Sequence, residues 1–306
     1  MTIDGGQRAA ALAAEPLRPA GAQPGFFRGT VQSLRDIAAH RELLGLLVRR
    51  ELKARYKDSV LGFFWTLARP LAMLLVYYVA IGKFLGAERV PGRETGIPDF
   101  AIFVFTGLTA WQLFSEIIST GTSSIVGNAG LIKKVYLPRE VFPLSAVGAA
   151  LVNFTVQLGI LVAATAVLGR FPTGSRWLLL PLALAVLVVY STALAVLLSA
   201  INVYLRDVQY LVEILIMILF WASPIVYSWG LVESHLSPML AQLYLANPMT
   251  QVVLAFQRVF WVSGTDEPTP PDLAGTLGVT LVISIVLLWL AQRVFARLQS
   301  NFAQEL

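Results

Sequence analysis

The sequence predicts an all-α membrane protein with six transmembrane helices per subunit. Three observations lead there. Of 306 residues, 57% are hydrophobic and only 13% charged, whereas soluble domains carry about 25% charged residues. Six apolar stretches are each long enough to cross a hydrocarbon core of ~30 Å. Most of the 23 Lys and Arg lie beyond the ends of these stretches on one side, the positive-inside signature.

Residues 1–30 are rich in Ala, Gly and Pro without apolar periodicity, and are expected to form a disordered cytoplasmic tail. They lack the basic-then-apolar layout of a cleaved signal peptide, so the first span is expected to act as an uncleaved anchor. Residues 31–60 read as one amphipathic helix. Ile37, Leu44, Val48 and Leu52 share a stripe, while Arg35, Glu42, Arg49, Arg50, Lys53 and Lys57 fall mostly elsewhere. A basic amphipathic helix beside a span lies in the membrane interface; the alternative is a solvated helix with a few apolar contacts.

The transmembrane region, 61–292, holds spans at about 61–85, 100–124, 141–168, 177–202, 208–229 and 272–292. Pro70 lies inside the first, and Pro224 predicts a kink in the fifth. Residues 231–262 are apolar, but Pro238 and the Asn247-Pro248 pair break them into two short pieces, which read as re-entrant helices. A seventh span is the alternative; it would put the C-terminus outside, against the charge distribution. Residues 293–306 form a cytoplasmic tail, so both termini are expected inside.

The sequence argues against catalysis. It has no cysteine, and two histidines, His40 and His235, are too few for a His-based metal cluster. G-x-x-x-x-G-K-[ST], G-x-S-x-G and H-E-x-x-H are all absent. The net charge of +5 does not indicate nucleic acid, because the basic residues hug the span ends.

Charges fall well inside spans at Arg69, Glu116 and Glu213. Arg69 and Glu116 each lie about eight residues, or ~12 Å, from the inner end of adjacent antiparallel spans. An Arg69–Glu116 ion pair is expected, since either charge alone in lipid is costly. Glu213 is a rival partner, and snorkelling of Arg69 to the interface is the alternative. The loop over 125–140 is basic and Pro-capped, with apolar Leu131, Ile132, Val135 and Leu137 among Lys133, Lys134 and Tyr136. It reads as a docking knob for a partner protein; packing against the 31–58 helix is the alternative. Aromatics crowd the outer half: Trp111, Phe220, Trp221, Tyr227, Trp229, Tyr244, Phe256, Phe260 and Trp261. They form an interfacial belt, or some line a conduit in which aromatic faces stack on sugar rings.

Several segments taken together carry a resemblance. They are Arg55-Tyr56-Lys57-Asp58-Ser59-Val60-Leu61-Gly62-Phe63-Phe64-Trp65 with Pro70-Leu71, then Leu131-Ile132-Lys133-Lys134-Val135-Tyr136-Leu137-Pro138. Next come Asn202-Val203-Tyr204-Leu205-Arg206-Asp207-Val208, Ala222-Ser223-Pro224-Ile225-Val226-Tyr227 and Leu245-Ala246-Asn247-Pro248. The last is Phe295-Ala296-Arg297-Leu298-Gln299-Ser300-Asn301-Phe302-Ala303. In order and content they resemble the permease of a type-2 ABC transporter of the polysaccharide-export group, which handles O-antigen, teichoic acid and galactan. The resemblance covers roughly 31–306.

That resemblance implies a permease without catalytic residues. It implies a homodimer working with two copies of a separate ABC ATPase, which would bind the ATP and Mg; no cofactor is expected on this chain. Arg49, Arg50, Lys53, Arg55, Tyr56 and Lys57 would belong to an interface helix touching the ATPase, and Leu131 to Leu137 to a coupling helix seated in it. Asn247, Pro248, Phe256 and Phe260 would belong to re-entrant helices closing an outer gate. The implied substrate is a lipid-linked polysaccharide, on a polyprenyl pyrophosphate carrier, leaving a bacterial inner membrane. The basic interface residues are placed to attract that pyrophosphate and anionic lipids. Rival readings are a type-2 ABC permease for a lipid or drug, an ion-coupled secondary carrier, and a membrane glycosyltransferase built on Asp266, Glu267 and Asp272.

Overall fold

The computed structural model describes residues 28–56, 65–88, 96–134 and 137–306. Among them all regular structure is helical, apart from one isolated bridge between Glu88 and Ile97. Helices α1 (Arg28–Ala39) and α2 (Arg41–Tyr56) come first, followed by α3 (Trp65–Tyr77), which continues as a π-helical stretch to Phe84. Then come α4 (Phe100–Gly127), a single turn α5 (Ala129–Ile132), α6 (Val141–Val167), α7 (Leu179–Tyr204) and α8 (Val208–Trp221). The chain ends with α9 (Trp229–His235), α10 (Pro238–Leu245), α11 (Pro248–Phe260), α12 (Leu273–Leu298) and the short α13 (Phe302–Glu305).

The all-helical class is as expected, but the details differ in three places. Among the described residues four helices have the length and composition to cross a membrane: α4, α6, α7 with its 3-10 lead-in, and α12. The first expected span has 13 residues of α-helix followed by 7 of π-helix in its described part. The fifth is only 14 residues, ~21 Å, short of a ~30 Å core. It stops at Trp221 instead of kinking through Pro224, because a proline disfavours the helical conformation of the residue before it. The expected single helix over 31–60 is two helices, broken at His40. There the imidazole Nδ1 reaches the Asp36 carbonyl at 2.7 Å and competes with the backbone N–H for it.

The third difference is at 231–262, which forms three helices instead of two pieces. Pro238 and Pro248 start helices, in the first turn where a missing N–H costs nothing. Asn247 Oδ1 accepts from Met249 N at 3.0 Å, and Ser237 Oγ accepts from Leu240 N at 3.5 Å. Helix α11 is buried along nearly its whole length. Its polar groups are met from within the protein. Gln251 takes Thr280 Oγ1 at 2.8 Å and gives to the Leu245 carbonyl at 2.8 Å, while Gln257 gives to the Pro224 carbonyl at 2.7 Å.

Helix α4 sits at the centre, packed on α6, α7, α11, α3 and α8, and α12 lies along α7. Small residues allow the closest approaches. A Cβ on Gly121 of α4 would sit 2.6 Å from Ala195 Cβ of α7, and one on Gly148 of α6 would sit 2.7 Å from Val48 of α2. The core has two parts. The larger runs along α4, α6, α7 and α11. The smaller joins Leu47 of α2, Ile125, Ile132, Phe142, Val203, Phe295 and Phe302. The N-terminal helices and the C-terminal segment therefore meet at one end of the bundle. Large apolar side chains remain exposed on α3, α8 and α12, among them Leu75, Val76, Ile214, Met217, Ile218, Val282 and Ile283.

Candidate functional site: a polar and aromatic cavity

Four helices, α3, α4, α6 and α8, line an open-sided cavity of about 930 Å³. Helix α4 gives it a polar stripe of Gln112, Ser115, Glu116, Ser119 and Thr120. These spacings of three and four place all five on one helical face. Asn153 and Gln157 of α6 add a second polar edge by the same rule, while Arg69 comes from α3 and Glu213 from α8. So many polar groups within apolar helices are tolerated where they line an aqueous space or bond to one another.

The hydroxyls are tied to their own helix. Ser115 donates to the Gln112 carbonyl at 3.2 Å, and Thr120 to the Glu116 carbonyl at 2.6 Å. Glu116 is held by Asn153, whose Nδ2 donates to Oε1 at 2.7 Å. Gln112 Nε2 reaches Met73 Sδ at 3.3 Å.

Toward α9–α11 the wall turns aromatic. Tyr77 stacks on Phe220 with ring centroids 5.6 Å apart, Trp111 meets Phe220 edge-on at 5.6 Å, and Phe220 meets Trp221 edge-on at 5.5 Å. Trp111 is buried while Trp221 is 53% exposed. Arg69 and Tyr77 are eight residues apart on α3, so the charged and aromatic ends are ~12 Å apart.

The structure brings Arg69, Glu116 and Glu213 to this one cavity. The rest of its stripe on α4 (Gln112, Ser115, Ser119 and Thr120), the Asn153–Gln157 edge and Tyr77 were not singled out in the sequence. The signal was present as polar residues at helical spacing in the second and third spans, where apolar residues are the rule.

The other expected site residues lie elsewhere. Ile132 is buried in the smaller core, with Leu131 and Leu137 packed beside it and beside Leu43 and Leu44. Ile132 thus shares a buried cluster with Leu47 of α2, where burial removes its apolar surface from water. Gly127, Gly130, Lys133 and Lys134 are exposed among the described residues of the loop. Arg50 Nη2 donates to Asn128 Oδ1, tying α2 to the same loop. Arg49, Arg50 and Lys53 are exposed on α2, and Arg55 and Tyr56 fall in its last turn. Lys57, Val135 and Tyr136 lie outside the described residues, as do residues 1–27.

Phe256 and Phe260 are fully buried. They pack edge-on against Phe154 at 6.2 Å and Trp177 at 5.6 Å, so they fill the core and do not line an opening. Asn247 caps α11 and donates to the Ala222 carbonyl at 3.2 Å. Among the described residues no group of His, Cys, Asp and Glu is placed to hold a metal ion.

Residues 42–261 match the family described as ABC-2 type transporter. The chain belongs to the ABC-2 type transporter family. Among its relatives is the O-antigen export system permease protein RfbA of Myxococcus xanthus, 34% identical over 90% of this chain and 100% of the relative. A Klebsiella pneumoniae protein of the same name is 27% identical over 86% of this chain and 94% of its own length. The polysialic acid transport protein KpsM of Escherichia coli is 24% identical over 68% of this chain and 76% of its own length.

Proposed function

We propose that this chain is the permease subunit of an ATP-driven exporter that carries a lipid-linked polysaccharide from the cytoplasmic to the outer side of a bacterial inner membrane. The observation that carries the reading is the wall of the 930 Å³ cavity, where aromatic faces suited to sugar rings adjoin hydroxyl and amide groups suited to their hydroxyls. The relatives named for O-antigen export support the substrate class.

In this reading two copies pair through the exposed apolar flanks of α3 and α8, and their cavities face one another across a shared path. Six membrane crossings put both termini in the cytoplasm, with α3 and α8 completing the count beside the four long helices. Two separate ATPase subunits dock on the end that carries α2 and α5. Because Ile132 is buried, contact with the ATPase falls to exposed Lys133 and Lys134 and to Arg49 and Lys53 of α2. ATP-driven closure of the ATPases moves this end, and the packing of Ile132 with Leu47 transmits the motion into α4 and α6. Arg69 and Glu116 fix the inner mouth of the path, and Asn247 and Pro248 hold α11 at its outer end.

The test is deletion of the gene in its native host. Loss of surface polysaccharide, with lipid-linked glycan accumulating inside and both reversed by the intact gene, is the expected result. Unchanged surface polysaccharide in the deletion strain would overturn the reading.

A further inference from the structure

This inference rests on the reading of the cavity as a glycan path, and concerns which glycans it accepts. Three charged side chains line the cavity, Arg69, Glu116 and Glu213. Two are carboxylates and one is a guanidinium, so the wall carries a net negative formal charge in each subunit. Glu116 is anchored to α6 through Asn153. Glu213 sits on the exposed face of α8, the side that opens toward whatever passes.

The uncharged lining has the same bias. Ser115 and Thr120 spend their protons on carbonyls of their own helix. Their oxygens are left as acceptors. Ser115 and Thr120 therefore add acceptors to those of Glu116 and Glu213, beside the donors of Arg69, Gln112, Gln157 and the two indoles. A sugar chain bearing free hydroxyls brings the donors that complete this set. A chain bearing repeated carboxylates or phosphates brings acceptors and negative charge, and meets like charge on the wall.

We propose that the path is built for glycans without repeating negative charge, and that Glu213 is the residue that turns polyanionic chains away. The full-length chain in lipid nanodiscs provides the test, with quenching of tryptophan emission as the readout, since Trp111 and Trp221 are on the wall. The probes are a neutral α-mannan octasaccharide and an α2,8-linked sialic acid octasaccharide.

The wild type is expected to bind the neutral probe at least ~10-fold more tightly, the scale of one unfavourable charge contact. The gap is expected to narrow in Glu213→Gln and to narrow further, with a strong salt dependence, in Glu213→Lys. Unchanged elution on size exclusion establishes that both variants are folded. Equal or tighter binding of the sialic acid probe by the wild type overturns the charge assignment and leaves the glycan path standing. A gap that persists undiminished in Glu213→Lys removes Glu213 from that role and overturns the proposal as stated. Binding of neither probe sinks the glycan reading of the cavity, and this proposal with it.

Discussion

Asn153 Nδ2 donates to Glu116 Oε1 at 2.7 Å, so the acidic side chain within α4 is held by α6. A hydrogen bond to a charged group contributes more than a neutral one, and leaving its acceptor unmet inside the bundle costs about 1–3 kcal/mol. Asn153→Leu is expected to lower stability by that amount, seen as a lower midpoint in a thermal melt of the detergent-solubilised protein. Asn153→Asp is expected to be worse, since it sets two carboxylates together. Melts that match the wild type would show that the bond contributes nothing.

Gly121 allows α4 and α7 to approach until a Cβ would stand 2.6 Å from Ala195 Cβ and 3.3 Å from its Cα. The obstacle includes backbone and cannot rotate away. Gly121→Val is expected to force the helices apart at a cost of about 1–3 kcal/mol or more. Gly127 has open space around it, so Gly127→Ala is the control, and its melting midpoint is expected to stay close to the wild type.

Asn247 performs two tasks where Ser237 performs one. It caps α11 and bonds to Ala222 of the irregular segment behind α8, whereas Ser237 caps the exposed α10 with a 3.5 Å bond. Asn247→Ala is expected to cost about 1–2 kcal/mol, the upper part of the range for a lost cap, and Ser237→Ala about 0.5. Equal melting midpoints for the two variants would contradict this ranking.

Glu140 lies at the start of α6, where Ser33 Oγ of α1 donates to it at 3.3 Å. Burial pushes its carboxyl above the ordinary value; bonds from the backbone and Ser33 pull the other way, and Asp36 adds to the rise. A raised folded-state pKa means that the folded protein holds this proton more tightly than the unfolded chain. The stabilisation is therefore full below the unfolded value of about 4.3 and is lost as pH rises through the folded one. Protection of α1 amides from hydrogen exchange is expected to fall over that rise, and Glu140→Gln to flatten the dependence. A profile identical in Glu140→Gln would assign it to another group.

Lys133 and Lys134 are the charged groups that the loop after α4 exposes. The double variant Lys133→Glu with Lys134→Glu is expected to leave the melting midpoint unchanged and abolish co-purification of an ATP-binding-cassette subunit from native membranes. Ile132→Asp is not a clean test of docking, because it places a carboxylate in the smaller core and is expected to unfold that end of the bundle. Retention of the ATPase by the double lysine variant would move the docking site elsewhere.

The sequence by itself determined the helical class and the lengths of α4, α6, α7 and α12, because runs of apolar residues and their flanking charges are local facts. It also placed Arg69, Glu116 and Glu213 within spans. It misjudged Pro224, and it placed the breaks at Pro238 and Pro248 but counted two pieces where there are three helices, since whether a proline kinks, ends or starts a helix depends on which carbonyls and caps lie nearby. Asn247 supplied such a cap, and Ser223 the end. The direction of Ile132 was open in the sequence, since an apolar side chain on a short loop packs wherever a partner stands, and only the fold put Leu47 and Phe142 beside it. The cavity likewise exists only in three dimensions. The stripe Gln112, Ser115, Glu116, Ser119 and Thr120 was written along α4, but its meaning came from α3, α6 and α8 lining the space it faces, because a helix face lines a cavity only when neighbouring helices stand off from it.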